Sequence, residues 1–194
     1  MVFIMPAYAI VKNLYRTVLL LLLTMPVMAE SFSVESASVS KIGNGYVVNA
    51  KMIYPLTPRV VEAIENSVPI TFFQQLDLIN SIPILGKYWQ WQESFWTTEL
   101  RYELRYHALT QQYVLLSSDT LHRRNFPTLE SALDALGRLQ NLSLPPKYLA
   151  DSEDLILNLR TGIDLHALPT PMRPGALISS KWQLTSPWVA ATWP

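Results

Sequence analysis

The chain has 194 residues, of which 49% are hydrophobic, 15 are basic and 15 are acidic, and it contains no cysteine. The lack of cysteine excludes disulfide bonds, thiol nucleophiles, thiolate metal ligands and a lipid-modified cysteine. The balanced charge provides no basic excess to hold a phosphate backbone, so we expect no nucleic-acid partner. The length suits one domain with its own core.

The N-terminal segment has the pattern of a secretory signal peptide. Lys12 and Arg16 precede an uncharged run whose centre, 18–23, is entirely apolar. Val27 and Ala29 place small residues at the positions that signal peptidase requires. These features predict a basic region, an apolar core and a cleavage site, in that order.

We predict cleavage between Ala29 and Glu30, with residues 1–29 as the signal and residues 30–194 as a single β-rich domain. Cleavage removes two basic residues and no acidic ones, which leaves 13 basic against 15 acidic residues and a net charge of −2. A permanent membrane anchor is the alternative, but it needs about 20 apolar residues, and this run is shorter. We therefore expect an exported, periplasmic protein that contacts the membrane only through an uncleaved signal segment.

The mature chain opens with a predicted hairpin and a short helix. Alternating apolar residues lead to Gly-Asn-Gly at 43–45, and residues 46–54 resume a strand-like composition, which is typical of a β-hairpin. Thr57 is a predicted N-cap, with Pro58 at the first helical position. Pro69 is expected to end this region.

The centre of the chain has the patterns of β-strands. Residues 70–78 carry apolar side chains at even positions, interrupted by Gln74, which predicts a half-buried strand. An aromatic stretch follows at 88–96. At 99–107, apolar or aromatic residues at even positions alternate with charged residues or histidine, which predicts one packed and one solvated face. A turn and a return strand at 113–116 complete a second predicted hairpin.

A second helix is predicted after Thr128. Apolar residues recur at helical spacing as far as Leu139, and Asp134 can pair with Arg138 four positions later. Gly137 costs this helix about 1 kcal/mol relative to alanine, so packing must stabilise it.

The remaining segments complete the predicted fold. Residues 154–166 form another strand candidate, and the proline-rich segment 168–174 is predicted to be a loop or a sheet edge. Strands joined by hairpins favour antiparallel sheets that helices cover. We therefore predict a mainly β fold, an antiparallel β-sandwich with two short helical insertions.

Three blocks of the sequence resemble a known family. They are Leu100-Arg-Tyr-Glu-Leu-Arg-Tyr-His-Ala-Leu-Thr with Gln111-Gln-Tyr113, then Phe126-Pro-Thr-Leu-Glu-Ser-Ala-Leu133, then Asp164-Leu-His-Ala-Leu-Pro169 with Lys181-Trp-Gln-Leu-Thr-Ser-Pro-Trp188. In this order they are similar to the exported proteobacterial proteins grouped as domain of unknown function (DUF) 4390, over nearly the whole mature chain. The resemblance implies a Gram-negative envelope protein. It brings no assigned activity and no catalytic motif.

The residues that could carry chemistry form no recognised motif. His107, His122 and His166, with Asp119 and Asp164, are the candidate metal ligands, but no pair has zinc or EF-hand spacing. No Gly-x-Ser-x-Gly elbow marks a nucleophile. We therefore expect no metal, no cofactor and no enzymatic activity. The alternative is a hydrolase whose site assembles from distant residues, which a pocket joining two histidines to a carboxylate would favour.

The charged residues at 99–105 alternate in sign along one predicted strand face. They could form an ionic recognition strip. Such charges ordinarily form a solvated face that pairs across strands and discourages edge association. We adopt this second interpretation.

Aromatic residues carry the functional hypothesis. The segment 89–106 has more rings than one small sheet face needs, at Trp89, Trp91, Phe95, Trp96, Tyr102 and Tyr106. Such rings line apolar pockets, anchor protein interfaces or fill the core between two sheets. We expect core positions for Trp91 and Tyr102, and an exposed patch at Trp89 and Trp96.

The preferred functional hypothesis is a non-catalytic module. It would bind an envelope protein or an apolar ligand through the aromatic segment 88–96. A structural envelope protein without a specific ligand is a further alternative, which a flat surface and an oligomeric interface would distinguish.

Overall fold

The computed structural model of the protein describes residues 31–83, 90–149 and 155–194. The predicted signal peptide lies outside the described residues. The strands are β1 (Ser33–Ile42), β2 (Gly45–Ile53), β3 (Ile70–Pro83), β4 (Gln90–His107), β5 (Gln112–Ser117), β6 (Arg123–Phe126), β7 (Arg138–Ser143), β8 (Leu155–Ile163) and β9 (Val189–Ala190). The helices are α1 (Pro58–Glu65), α2 (Leu129–Gly137) and α3 (Arg173–Ile178), with 3-10 turns at Pro146–Tyr148 and Leu165–Ala167.

The described strands form two antiparallel sheets. The smaller sheet has the order β1-β2-β7, and the larger has the order β6-β5-β4-β3-β8-β9. Buried side chains from both sheets meet in one core, among them Val48, Met52, Phe72, Leu76 and Leu157. The predicted mainly β, antiparallel fold is confirmed.

Both predicted hairpins are present. The first joins β1 to β2 through Gly43, whose φ of 60° is a left-handed conformation that glycine adopts without steric cost. The second joins β4 to β5, with His107 opposite Gln112. In β3, the even-numbered side chains from Ile70 to Leu78 are all buried, as the alternation predicts.

Both predicted helices are present, with one difference in capping. Thr128 caps α2, since its side chain accepts a hydrogen bond from the Ser131 N–H at 3.2 Å. Asp134 and Arg138 pair at 2.6 Å, as predicted. Thr57 holds the N-cap position of α1, but its Oγ1 donates to the Lys181 carbonyl oxygen at 2.8 Å instead of accepting from the helix. Thr57 therefore ties α1 to the C-terminal segment.

Among the described strands and helices, β6, β7, β9 and α3 were not anticipated. Leu139, expected to extend α2, lies on β7, because the chain leaves the helix at Gly137. No periodic pattern of apolar residues in the sequence marks the short strand β6. The segment predicted as a proline-rich loop leads into α3, where Pro174 is accommodated in the first turn because no intrahelical bond needs its N–H.

Gln74, the polar interruption in β3, joins a buried hydrogen-bond network. Its Nε2 donates to the Tyr54 hydroxyl at 3.0 Å and to the Leu136 carbonyl oxygen, near the end of α2, at 2.7 Å. The Tyr54 hydroxyl lies 2.9 Å from Thr161 Oγ1, which in turn donates to the Phe73 carbonyl oxygen at 2.7 Å. Burial raises the pKa of Tyr54 to about 12. The network thus links α2 to β3, to β8 and to Tyr54, the residue that follows β2.

Candidate interaction site

The longest described strand, β4, has a free edge over its first half. β4 pairs with β3 from Gln90 to Leu104. On its other side, β5 pairs with β4 only over Tyr102–His107. Within the described part of the chain, no strand pairs with this side of β4 between Gln90 and Leu100. This stretch, residues 90–100, is the free edge.

The adjoining turn shows which backbone groups the free edge presents. The Ser118 N–H donates to the Arg101 carbonyl oxygen at 2.8 Å, so Arg101 directs its carbonyl toward the β5 side. Alternate residues of an antiparallel strand direct their peptide groups to opposite edges. Thr97 and Glu99 therefore direct both N–H and C=O outward, where no described strand pairs with them. Each of these groups must find water or a partner.

A β-bulge divides the free edge. The register with β3 shifts between Trp96 and Ser94, so Phe95 is the additional residue. Beyond the bulge, Trp91 lies opposite Ile82. The alternation of side chains along β4 is thus interrupted at Phe95.

A groove of about 590 Å³ lies beside the free edge, between the two sheets. Its walls include Leu100 and Tyr102 of β4 and residues 139–143 of β7. Asp119, on the turn after β5, and Arg124, on β6, line the opposite side. Because Leu100 and Tyr102 belong to the strand that carries the free edge, a molecule seated on that edge would reach the groove directly.

The predicted aromatic residues are dispersed along β4. Tyr102 lines the groove, and its partial burial raises the pKa of its hydroxyl. Trp96 is half-buried and packs against the core. Tyr106 lies at the far end of the strand, with its ring centroid 5.0 Å from that of Tyr113. Trp89 lies outside the described residues.

The free edge is acidic. Residues 90–100 include Glu93 and Glu99 but no lysine or arginine. Glu93 is exposed and forms no ion pair within the described residues. Asp119 contributes a further carboxylate on the turn that ends the edge. Arg101, which pairs with Glu99, offsets one of these three carboxylates, and the negative charge that remains favours a basic partner.

The alternating charges of β4 pair along the strand. Glu99 Oε1 lies 2.7 Å from Arg101 Nε, and Glu103 Oε1 lies 3.9 Å from Arg105 Nε. Arg101 also contacts Asp164 at 3.4 Å. The hydrogen bond and charge of Glu99 raise the pKa of Arg101, with a smaller contribution from Asp164. Glu99 and Glu103 thus pair with residues two apart on β4, whereas Arg101 also pairs with Asp164 of another element.

The histidines lie apart in the described structure. His107 ends β4, with its Nδ1 3.1 Å from Thr110 Oγ1. His122 lines the groove with Asp119, whereas His166 lines a different cavity. Among the described residues, no group of three or more potential ligands could hold a metal ion.

The sequence contains one Ser-x-x-Lys spacing, the pattern of the nucleophile in penicillin-recognising enzymes, at Ser38 and Lys41 on β1. Residues three apart in a strand point to opposite faces, so this spacing does not bring the amine to the hydroxyl. The Lys41 Nζ instead lies 5.9 Å from the centroid of the Tyr46 ring.

Comparison with known families decides the membership of the chain. A family model described as Domain of unknown function (DUF4390) matches residues 29–192. The chain belongs to the DUF4390 family. The resemblance noted in the sequence is therefore confirmed at the level of the family. No curated protein and no solved structure matches the DUF4390 chain.

The DUF4390 domain has a second cleft, of about 520 Å³, beside α1 and α2. Most of its lining is apolar and includes Met52, Leu56, Val61, Leu129 and Leu133. Such a lining suits an apolar group. None of the helices described for this DUF4390 domain is long and apolar enough to cross a membrane.

Proposed function

We propose that this DUF4390 domain is a non-catalytic binding module of the Gram-negative envelope, and that it binds a protein partner through the free edge and the aromatic segment 88–96. The outward peptide groups of Thr97 and Glu99 carry this proposal. Proteins commonly protect an exposed strand edge with lysine, proline, a β-bulge or a covering element, and of these the free edge has only the bulge at Phe95. Residues 90–100 contain neither lysine nor proline, and no described strand covers them.

The distribution of polar groups supports binding rather than catalysis. A pocket joining two histidines to a carboxylate would favour the hydrolase hypothesis, but His122 and His166 line different cavities. An apolar ligand is the second candidate, and the apolar cleft beside α1 and α2 favours it.

Export is part of the proposal. The predicted signal peptide supports it, and the family match begins at residue 29, next to the predicted cleavage site. In a Gram-negative host, we expect the periplasmic fraction to contain a chain that begins at Glu30, which intact-mass measurement would identify. A cytoplasmic chain that retains residues 1–29 would contradict export.

Crosslinking pull-down from envelope extracts tests the binding function. We expect the mature domain to capture a specific protein, and Trp96→Ala to reduce its recovery by about tenfold, because buried aromatic anchors dominate binding free energy. Trp193→Ala is the matched control, because Trp193 is also a half-buried tryptophan packed on the core but contacts Tyr46 of β2. Both variants must first be shown to fold.

Three results would contradict this proposal. The captured protein could be recovered equally with Trp96→Ala and Trp193→Ala, or its recovery could be lost only with Trp193→Ala. The third result is that no form of the domain captures a specific protein. The last result would favour the apolar cleft as the binding site.

A further inference from the structure

We propose that the partner contributes an extended, basic segment, which adds to β4 as a strand along the free edge. This inference rests on the proposed function and specifies its mode of recognition. The outward N–H and C=O groups of Thr97 and Glu99 are separated by two residues. An extended polypeptide presents complementary groups at this spacing, so strand addition satisfies all four.

The groove provides positions for the side chains of the added strand. That strand would continue the line of β5 beyond Ser118, because β5 pairs with β4 only as far as Tyr102. Side chains alternate between faces, and residues directly opposite each other share a face. A side chain opposite Leu100 would therefore point toward the groove that Leu100 and Tyr102 line. Its neighbours would lie on the outer face with Glu99.

The charges at the edge indicate a basic segment, so we assign Glu99 a role in recognition and not only in the solvated face predicted from the sequence. Glu99 uses only Oε1 in its pair with Arg101, and Asp119 forms no hydrogen bond or ion pair within the described residues. A lysine or arginine opposite Glu99 would gain a cross-strand ion pair. Arg101 would keep Asp164 as its second partner. Glu93, farther along the edge, extends the negative charge.

The positive charge in the groove lies on its far wall. The Arg124 guanidinium stacks on the Phe126 ring at 5.6 Å and donates to the Ala135 carbonyl oxygen at 3.4 Å. These contacts direct Arg124 toward β6 and α2. The positions beside the backbone groups of the free edge therefore favour basic side chains.

Thr97→Pro tests strand addition directly. Proline removes the outward N–H and places its ring on the free edge, while the hydrogen bonds to β3 belong to the neighbouring residues. The substitution also removes the hydrogen bond from Thr97 Oγ1 to Asp77 Oδ1, which is 2.9 Å long. Thr97→Val loses the same side-chain bond but keeps the N–H, so it is the matched control.

The probe is a labelled synthetic peptide of alternating lysine and valine, long enough to span residues 90–100, and its binding is followed by fluorescence anisotropy. We expect the wild type and Thr97→Val to bind it. Thr97→Pro should weaken binding by about tenfold or more, as should replacement of the lysines by glutamates. Absence of binding, or equal affinities for Thr97→Pro and Thr97→Val, would overturn the proposal.

A charge exchange provides an independent test if Thr97→Pro does not fold. Glu99→Lys should lose affinity for the lysine peptide and gain affinity for the glutamate peptide. For both peptides, the affinity of Glu99→Gln should lie between those of the wild type and Glu99→Lys. Unchanged preferences in Glu99→Lys would overturn recognition of a basic segment.

Comparison with the pull-down separates the two proposals. A protein captured equally by Thr97→Pro and Thr97→Val, but lost with Trp96→Ala, would support a binding module and overturn strand addition. A dimer in sedimentation that Thr97→Pro abolishes would show that a second copy occupies the edge, which would also overturn the partner proposed for it.

Discussion

Gly137→Ala is expected to destabilise the domain by about 2 to 3 kcal/mol, although helix propensity alone favours alanine by about 1 kcal/mol. A Cβ at this position would overlap the Met52 carbonyl oxygen and lie 3.4 Å from its carbonyl carbon. These are backbone atoms of β2, so they cannot move aside as a flexible side chain can. The helix would have to withdraw from the sheet.

That withdrawal would also disturb the buried network. Leu136, the residue before Gly137, accepts the hydrogen bond from Gln74 through its carbonyl oxygen. Gln74 Oε1 already lacks a partner among the described residues, so loss of the Nε2 bond would leave the buried amide less satisfied. A buried polar group without a partner costs about 1 to 3 kcal/mol.

Gly175→Ala is the matched control. Gly175 lies in α3, and a Cβ there would meet no atom within 4 Å. We expect its free energy of unfolding to stay within about 1 kcal/mol of wild type, with any change toward higher stability. Urea denaturation of both variants measures the difference. Equal stabilities for Gly137→Ala and wild type would show that α2 does not depend on this close approach.

Local sequence patterns predict the elements whose side chains alternate or recur regularly. The even-numbered residues of β3 and the helical spacing after Thr128 correspond to β3 and α2. The requirement for glycine at position 137 could not be predicted from a local pattern. Its cost to the helix is a local property, whereas its need for contact with Met52 depends on how two distant elements pack.

The free edge could be predicted only in part. The alternation of 99–107 predicts that this segment is a strand, and the aromatic residues of 88–96 indicate an interaction surface. Neither shows that β5 ends opposite Tyr102, because apolar runs do not fix strand neighbours or register. The bulge at Phe95 likewise follows from pairing with β3. The groove was missed because it also requires β7, which has no clear periodicity.

Amide hydrogen exchange of the mature domain alone, resolved by residue, tests the free edge most directly. After correction for intrinsic rates, we expect the Thr97 and Glu99 amides to exchange at least about a hundredfold faster than those of Thr98 and Leu100, which face β3. Glu103 is the internal control, since it has the same parity as Glu99 but lies opposite Leu116 of β5.

Fast exchange at Thr97 and Glu99, with strong protection at Thr98, Leu100 and Glu103, is the result that a free strand edge predicts. If Thr97 and Glu99 were as protected as Glu103, the edge would already be covered in the isolated domain. That result would contradict a binding site for a partner on β4.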